Sequence, residues 1–157
     1  MKTIRRRRIE AKTDYKARLA LLKSGRPRLV LRKSNRYIIA QIVTSEIAQD
    51  KIIVGISSKS LLEKGWPKEQ AGSLKNLSAA YITGFLLGKM SLKAGIKEAI
   101  LDIGLSRNIP KSRFYASLKG ALDAGLSVPC KKDVLPAMET IKNEKISKVF
   151  DKIMGEK

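Results

Sequence analysis

Histidine is absent from the 157 residues, and cysteine occurs once, at Cys130. The usual general base and the commonest metal ligand are therefore missing. A lone thiol without histidine makes neither a zinc site nor a Cys–His nucleophile. No phosphate-cradling glycine loop of P-loop or dinucleotide type occurs. What remains for chemistry is carboxylate: Asp102 in a stretch that reads as a strand, with Glu98 and Asp123 as potential neighbours. Such a trio is a loose echo of a two-metal nuclease. Its spacing carries no information, and Asp123 falls in a predicted helix, where facing water or capping a neighbour accounts for it. No catalytic residue, metal, cofactor or small-molecule substrate is expected.

A different chemistry stands out from Arg28 to Val43, Arg-Leu-Val-Leu-Arg-Lys-Ser-Asn-Arg-Tyr-Ile-Ile-Ala-Gln-Ile-Val. Two β-branched, apolar runs flank Ser34–Asn35, a polar pair suited to a two-residue hairpin loop. That register sets Lys33 opposite Arg36, Arg32 opposite Tyr37, Leu31 opposite Ile38 and Arg28 opposite Gln41. Alternation then gives one face of Leu29, Leu31, Ile38, Ala40 and Ile42, which must be buried. The other carries Arg28, Val30, Arg32, Tyr37, Ile39, Gln41 and Val43. An aromatic ring and an amide among arginines on an open sheet face suit phosphates and stacked bases. A solvated face with incidental charge fits the same stretch, so the remainder of the chain decides.

The formal charge of +19 exceeds what solubility needs and points to a polyanionic partner. Residues 1–36 hold fourteen Lys or Arg against Glu10 and Asp14 alone, so +12 of the +19 lies there. Arginine dominates the segment, and its planar fork grips phosphate and stacks on bases better than lysine does. The length and the 43% hydrophobic content suit a single domain with a real core. One cysteine permits no intramolecular disulfide and fits a reducing compartment. The basic N-terminus has no apolar signal core behind it. The uncharged run Asn76 to Gly88 falls short of the roughly 18 apolar residues that cross a bilayer. A soluble, cytoplasmic, nucleic-acid-associated protein with no membrane partner is the expectation.

The elements that must position these residues follow from periodicity and punctuation. Residues 1–12, with Arg5, Arg6, Arg7 and Arg8, read as an extended arm, disordered until bound. Thr13 caps a helix to about Ser24, stopped by Gly25, with Tyr15, Leu19 and Leu22 as its buried stripe. After Pro27 and the hairpin, Glu46–Asp50 leads to a third strand over Lys51 to Ser57. Residues 60–75 form a loop or short helical turn. A helix from about Leu74 to Ala94 carries Gly84 and Gly88 four apart, which lets it press closely onto a sheet. Ala99 to Leu105 reads as a buried strand, and polar, basic residues follow from Ser106 to Lys111. Ser112 caps a helix to about Ala124, stopped by Gly125. A last, solvated helix runs from about Asp133 to Ile153. The order helix, β, β, β, α, β, α, α implies an α/β fold, a single mixed sheet with helices on mainly one face. Helices 74–94 and 113–124 then cover the apolar side of the hairpin and leave Arg28, Arg32, Tyr37 and Gln41 outward.

Several stretches resemble the large-ribosomal-subunit protein family numbered eighteen, in its archaeal and eukaryotic-type form. They are Lys12-Thr-Asp-Tyr-Lys-Ala-Arg-Leu19, Pro27-Arg-Leu-Val-Leu-Arg-Lys-Ser-Asn-Arg36, Ala40-Gln-Ile-Val43, Ala79-Ala-Tyr-Ile-Thr-Gly-Phe-Leu-Leu-Gly88, Ala99-Ile-Leu-Asp-Ile-Gly-Leu105 and Lys119-Gly-Ala-Leu-Asp-Ala-Gly-Leu126. The likeness runs from about Arg5 to Leu135. It implies a ribonuclease-H-like α/β core without nuclease activity, bound to 5S ribosomal RNA in the central protuberance. Large-subunit rRNA and neighbouring proteins, including the one numbered five, are the further partners it implies. The family's RNA contacts carry over to Arg5, Arg6, Arg7 and Arg8, to Lys12, Tyr15 and Arg18, and to Arg32, Lys33, Ser34, Asn35 and Arg36. They extend to the loop at Lys111 and Arg113. Tyr37 stands where histidine is common, which keeps stacking and removes a titratable contact. The chain stops soon after its last predicted helix, short of the long tail of eukaryotic members, which points to the archaeal type.

The expected organisation is a basic arm over 1–12, an α/β RNA-binding core over 13–130 and a C-terminal helical extension over 131–157. Two other functions compete with a ribosomal role. One is a sequence-independent DNA- or RNA-binding protein or RNA chaperone whose arm dominates, separable by binding selectivity. The other is a metal-dependent nuclease on the same core, which Mg²⁺-dependent cleavage reveals.

Overall fold

The computed structural model describes residues 6–10, 12–47, 49–142 and Phe150. Three strands form a meander: β1 (Arg28–Lys33), β2 (Ile38–Glu46) and β3 (Gln49–Ser57). A short β4 (Ile100–Asp102) adds in parallel to β1, giving the mixed sheet order β3-β2-β1-β4. Helices α3 (Leu77–Lys93) and α4 (Arg113–Asp123) pack with the apolar face of the hairpin. Leu29, Leu31, Ile38, Ala40 and Ile42 are all buried, as their alternation requires.

The hairpin register differs from expectation by two residues. Leu31 pairs with Ala40, Arg32 with Ile39, Lys33 with Ile38 and Arg28 with Val43. The loop therefore has four residues, Ser34 to Tyr37. Ser34 closes it through backbone and side chain alike: its N–H donates to the Tyr37 carbonyl, while its hydroxyl accepts from the Tyr37 N–H. An even shift leaves every strand side chain on its own face, so the inner face survives the change. Tyr37, however, drops out of the ladder.

Helix α2 (Tyr15–Lys23) is capped by Asp14, whose carboxylate accepts from the N–H groups of Lys16 and Ala17. The Thr13 hydroxyl instead accepts from Arg7. None of the α2 residues is buried, and Leu19 is exposed, so the expected apolar stripe is not a core contact. Gly25 ends the helix at a φ of +64°, the left-handed conformation that glycine adopts without steric cost. Arg6–Ile9 forms a single helical turn, α1, where an extended arm was expected. Its Arg6 pairs with Glu10, which also pairs with Lys12. Arg5 and residues 1–4 lie outside the described residues.

The segment read as a loop or short helical turn, 60–75, forms 3₁₀ turns over Ser58–Leu62 and Lys68–Ser73 and packs into the core through Leu61, Trp66 and Leu74. The Trp66 indole N–H donates to the Gln70 carbonyl, so the buried ring keeps its polar atom satisfied. Near the C-terminus, the structure shows a 3₁₀ turn (Lys132–Val134) and α5 (Met138–Ile141). Ile141 and Phe150 are buried, and the Phe150 ring stacks on Tyr81 with centroids 5.2 Å apart. This end is thus anchored in the core, in contrast to the solvated helix expected over 133–153. The rest of that expected helix, 143–149 and 151–153, lies outside the described residues.

Gly84 and Gly88 press α3 onto α4, not onto the sheet. A Cβ on Gly84 would lie 1.9 Å from the Ser117 carbonyl oxygen, and one on Gly120 would lie 2.1 Å from the Tyr81 carbonyl oxygen. Both obstacles are backbone, so relief requires the helices to separate. Alanine is the better helix former by about 1 kcal/mol. Gly120→Ala is nonetheless expected to destabilise the fold by about 2 kcal/mol through overpacking. A urea melt checks it, and unchanged or raised stability contradicts the close crossing.

Candidate nucleic-acid interface

The outer sheet face is organised around Asp102. It pairs with Val30 in the β1–β4 ladder, which places its carboxylate between Arg28 and Arg32. One carboxylate oxygen accepts from Arg28 at 2.9 Å; the other accepts from Arg32 at 2.9 Å and from the Gly104 N–H. The second Arg28 nitrogen reaches Asp50 at 2.6 Å and the Ser45 hydroxyl at 3.0 Å. Asp50 also pairs with Arg18 at 2.9 Å, so an ionic ladder runs from β4 to α2.

This arrangement corrects the expectation for Arg28. Its side chain is only 4% exposed. A buried guanidinium must be matched by carboxylates and hydrogen-bond acceptors, and Asp102, Asp50 and Ser45 supply them. Arg28 consequently ties strands together and does not look outward. Arg32 keeps 43% of its side chain exposed while bonding to Asp102, so its guanidinium is oriented and still accessible. Gln41 is half-buried and lies over Gly55. Tyr37 is half-buried against the core cluster around Ile38 and Trp66, not opposite Arg32 on an open face.

The hairpin tip carries the accessible charge. Lys33, Ser34, Asn35 and Arg36 are exposed. Besides the Ser34 bonds, the Lys75 ammonium donates to the Asn35 carbonyl at 2.8 Å and fastens the tip to the segment before α3. On the arm, Arg6, Arg7 and Arg8 are exposed on α1, followed by exposed Lys12. Tyr15 and Arg18 are half-buried on α2. Lys111 and Arg113 are exposed and share an open cleft with Lys33. Sequence reasoning did not single out Arg107 and Ile109, which line the same cleft. The polar, basic run from Ser106 to Lys111 was their only signal.

Asp102, Glu98 and Asp123 have separate surroundings. Asp123 accepts the Tyr81 hydroxyl proton at 2.7 Å, while Asp102 is held by its two arginines. Burial and the Asp123 carboxylate together push the Tyr81 hydroxyl well above its ordinary pKa. Glu98 is exposed.

Two predictions test the ladder. Asp102→Asn leaves the buried Arg28 with Asp50 as its one carboxylate, so a loss of about 3 kcal/mol is expected, at the lower end for a broken buried pair. Chemical denaturation measures it, and a loss below about 1 kcal/mol would place the pair among weak surface bridges. For Asp50, burial works to raise the pKa, but Arg18, the Ser45 hydroxyl and Arg28 outweigh it and hold the group at about 2, below the ordinary 3.8. A depressed pKa contributes stability above the unfolded value and loses it as pH falls through the folded one. Asp50→Asn should therefore flatten the stability profile between about pH 4 and pH 2 relative to the parent chain. Parallel acid slopes would contradict that role.

Comparison with known proteins identifies the family. Residues 1–98 match a family described as "Ribosomal large subunit proteins 60S L5, and 50S L18". The chain is 48% identical to "Large ribosomal subunit protein uL18" of Korarchaeum cryptofilum over 96% of its own length and 75% of that relative. It is 47% identical to the protein of the same name from Methanothermobacter thermautotrophicus, over 90% of this chain and 71% of the relative. A third, from Methanospirillum hungatei, is 46% identical over 90% of this chain and 79% of the relative. On these matches, the chain belongs to the L18 family of large-subunit ribosomal proteins.

Proposed function

We propose that this protein is a structural, non-catalytic constituent of the large ribosomal subunit that binds 5S rRNA and helps attach it to the central protuberance. Large-subunit rRNA and the ribosomal protein numbered five are its proposed neighbours there, on a cytoplasmic ribosome. The observation that carries this reading is the braced hairpin tip: Lys33 and Arg36 stand exposed on a loop held by Ser34 and Lys75, beside the oriented guanidinium of Arg32. A pre-set tip presents donors to RNA at little ordering cost, unlike a charged tail. Arg6, Arg7, Arg8 and Lys12 add phosphate contacts along the approach, and Arg5 joins them in the proposed set. Contacts to phosphate position the protein, whereas base contacts and RNA shape select the partner. Among the described residues, no helix is long and apolar enough to cross a membrane.

Selectivity tests the proposal. Affinity for 5S rRNA and for an unrelated structured RNA of equal length is measured at two salt concentrations. The parent chain should prefer 5S rRNA. Deleting residues 1–8 should weaken both RNAs alike and reduce the slope of log K against log salt by roughly 0.7 to 0.9 per lost phosphate contact. Replacing Lys33 and Arg36 by alanine should weaken 5S rRNA by about tenfold, within the range of lost charge-assisted contacts, and the unrelated RNA much less. Equal affinity of the parent chain for both RNAs supports the sequence-independent binder instead.

A further inference from the structure

Next to the hairpin tip lies an open cleft of about 720 Å³, within the size range of small-ligand sites. Four cations line it: Lys33 at the end of β1, Arg107 and Lys111 on the β4–α4 connection, and Arg113 in the first turn of α4. No Asp or Glu lines the cleft, and none of the four cations forms an ion pair among the described residues. The rest of the wall pairs the apolar Leu77, Ile109 and Phe114 with the polar Asn76, Ser106 and Ser112. Ile109 is 54% exposed, an apolar side chain left against solvent inside a cationic rim.

The wall is built, not incidental. Lys111 takes a φ of +58°, which side-chain-bearing residues rarely adopt, and its N–H donates to the Val134 carbonyl at 2.8 Å. The Tyr115 hydroxyl donates to the Asn108 side-chain oxygen and fixes the loop from the helix side.

A rim of cations suits phosphates, but phosphates alone need no apolar wall. An apolar peptide would use the wall and leave four positive charges unmatched. A nucleotide outside a helix satisfies both, with an apolar base face and a phosphate on either side. Resting on the RNA-binding reading above, we infer that this cleft receives an unpaired nucleotide of the bound RNA. Its base lies against Ile109 and Leu77, and its flanking phosphates face Lys33, Arg107 and Lys111.

Two heptaribonucleotides that differ only in a central base or an abasic site separate base capture from charge. By fluorescence anisotropy, the full chain should bind the base-bearing strand about tenfold more tightly, the scale of burying a base face against apolar side chains. Ile109→Ser changes an exposed side chain and should fold, as a thermal melt verifies. It should reduce the preference to about twofold while leaving abasic affinity unchanged, since only the apolar contact with the base is lost. Arg107→Ser with Lys111→Ser should weaken both strands to a similar degree and lower the salt slope. Equal binding of both strands by the parent chain overturns the inference, as does a preference unaffected by Ile109→Ser. If 5S rRNA still binds selectively in that event, the cleft assignment alone fails. If selectivity for 5S rRNA is also missing, the RNA reading beneath it fails as well.

Discussion

The outer half of this sheet depends on one matched charge. Arg28 lies nearly beyond the reach of water, where an unpaired guanidinium would cost several kcal/mol, about the whole margin of a small domain. Asp102 and Asp50 approach it from opposite sides, one on the short parallel strand and the other on the third strand of the meander. The match does more than neutralise. It fixes how β4 lies beside β1, an edge with only three ladder residues to hold it, and it reaches α2 through Arg18. Because Asp102 also holds Arg32, the same carboxylate that satisfies an interior charge aims an accessible one. Interior charge matching and the orientation of a surface guanidinium thus share an atom group.

Patterns of period two and period 3.6 made much of this legible in the chain. The buried face of the hairpin, the third strand, the two central helices and the stop at Gly125 all follow from local spacing. Failures occurred where the answer lay in another segment. Ser34–Asn35 has the composition of a tight loop, but Ser34 can also bond across to Tyr37, and that wider turn prevails. Asp14 outcompetes Thr13 as a cap because its carboxylate reaches two N–H groups while the threonine is engaged by Arg7. Gly84 and Gly88 announce close approach without saying to what; Gly120, far along the chain, supplies the matching gap.

The candidate site divides in the same manner. An arginine on a strand reads identically whether it faces water or a carboxylate, so Arg28 and Arg32 looked equivalent. Only the docking of β4, some seventy residues later, separates them. The cleft was less legible still. Lys33 ends β1 and Arg107 lies on the connection that follows β4, so the parallel pairing of those strands brings them together and no spacing rule connects them. By contrast, the exposed bases of the arm and the hairpin tip needed no tertiary information, because charge density within a short segment survives any fold.

The sheet order has an effect on how the chain behaves in company. Its nine-residue edge, β3, has no further strand beyond it among the described residues, and Ile52 and Ile53 are exposed there. A long edge with apolar side chains is a template for adding a second copy. The irregularity at Ile42/Val43 interrupts regular pairing, a local defence of the kind that twists edges out of register. The larger protection is collective: molecules carrying +19 repel one another before their edges meet. That repulsion weakens as salt shortens its range to about 8 Å at physiological strength, and it vanishes once a polyanion neutralises the surface. Colloidal stability of the isolated chain is therefore borrowed from the very charge that binding consumes.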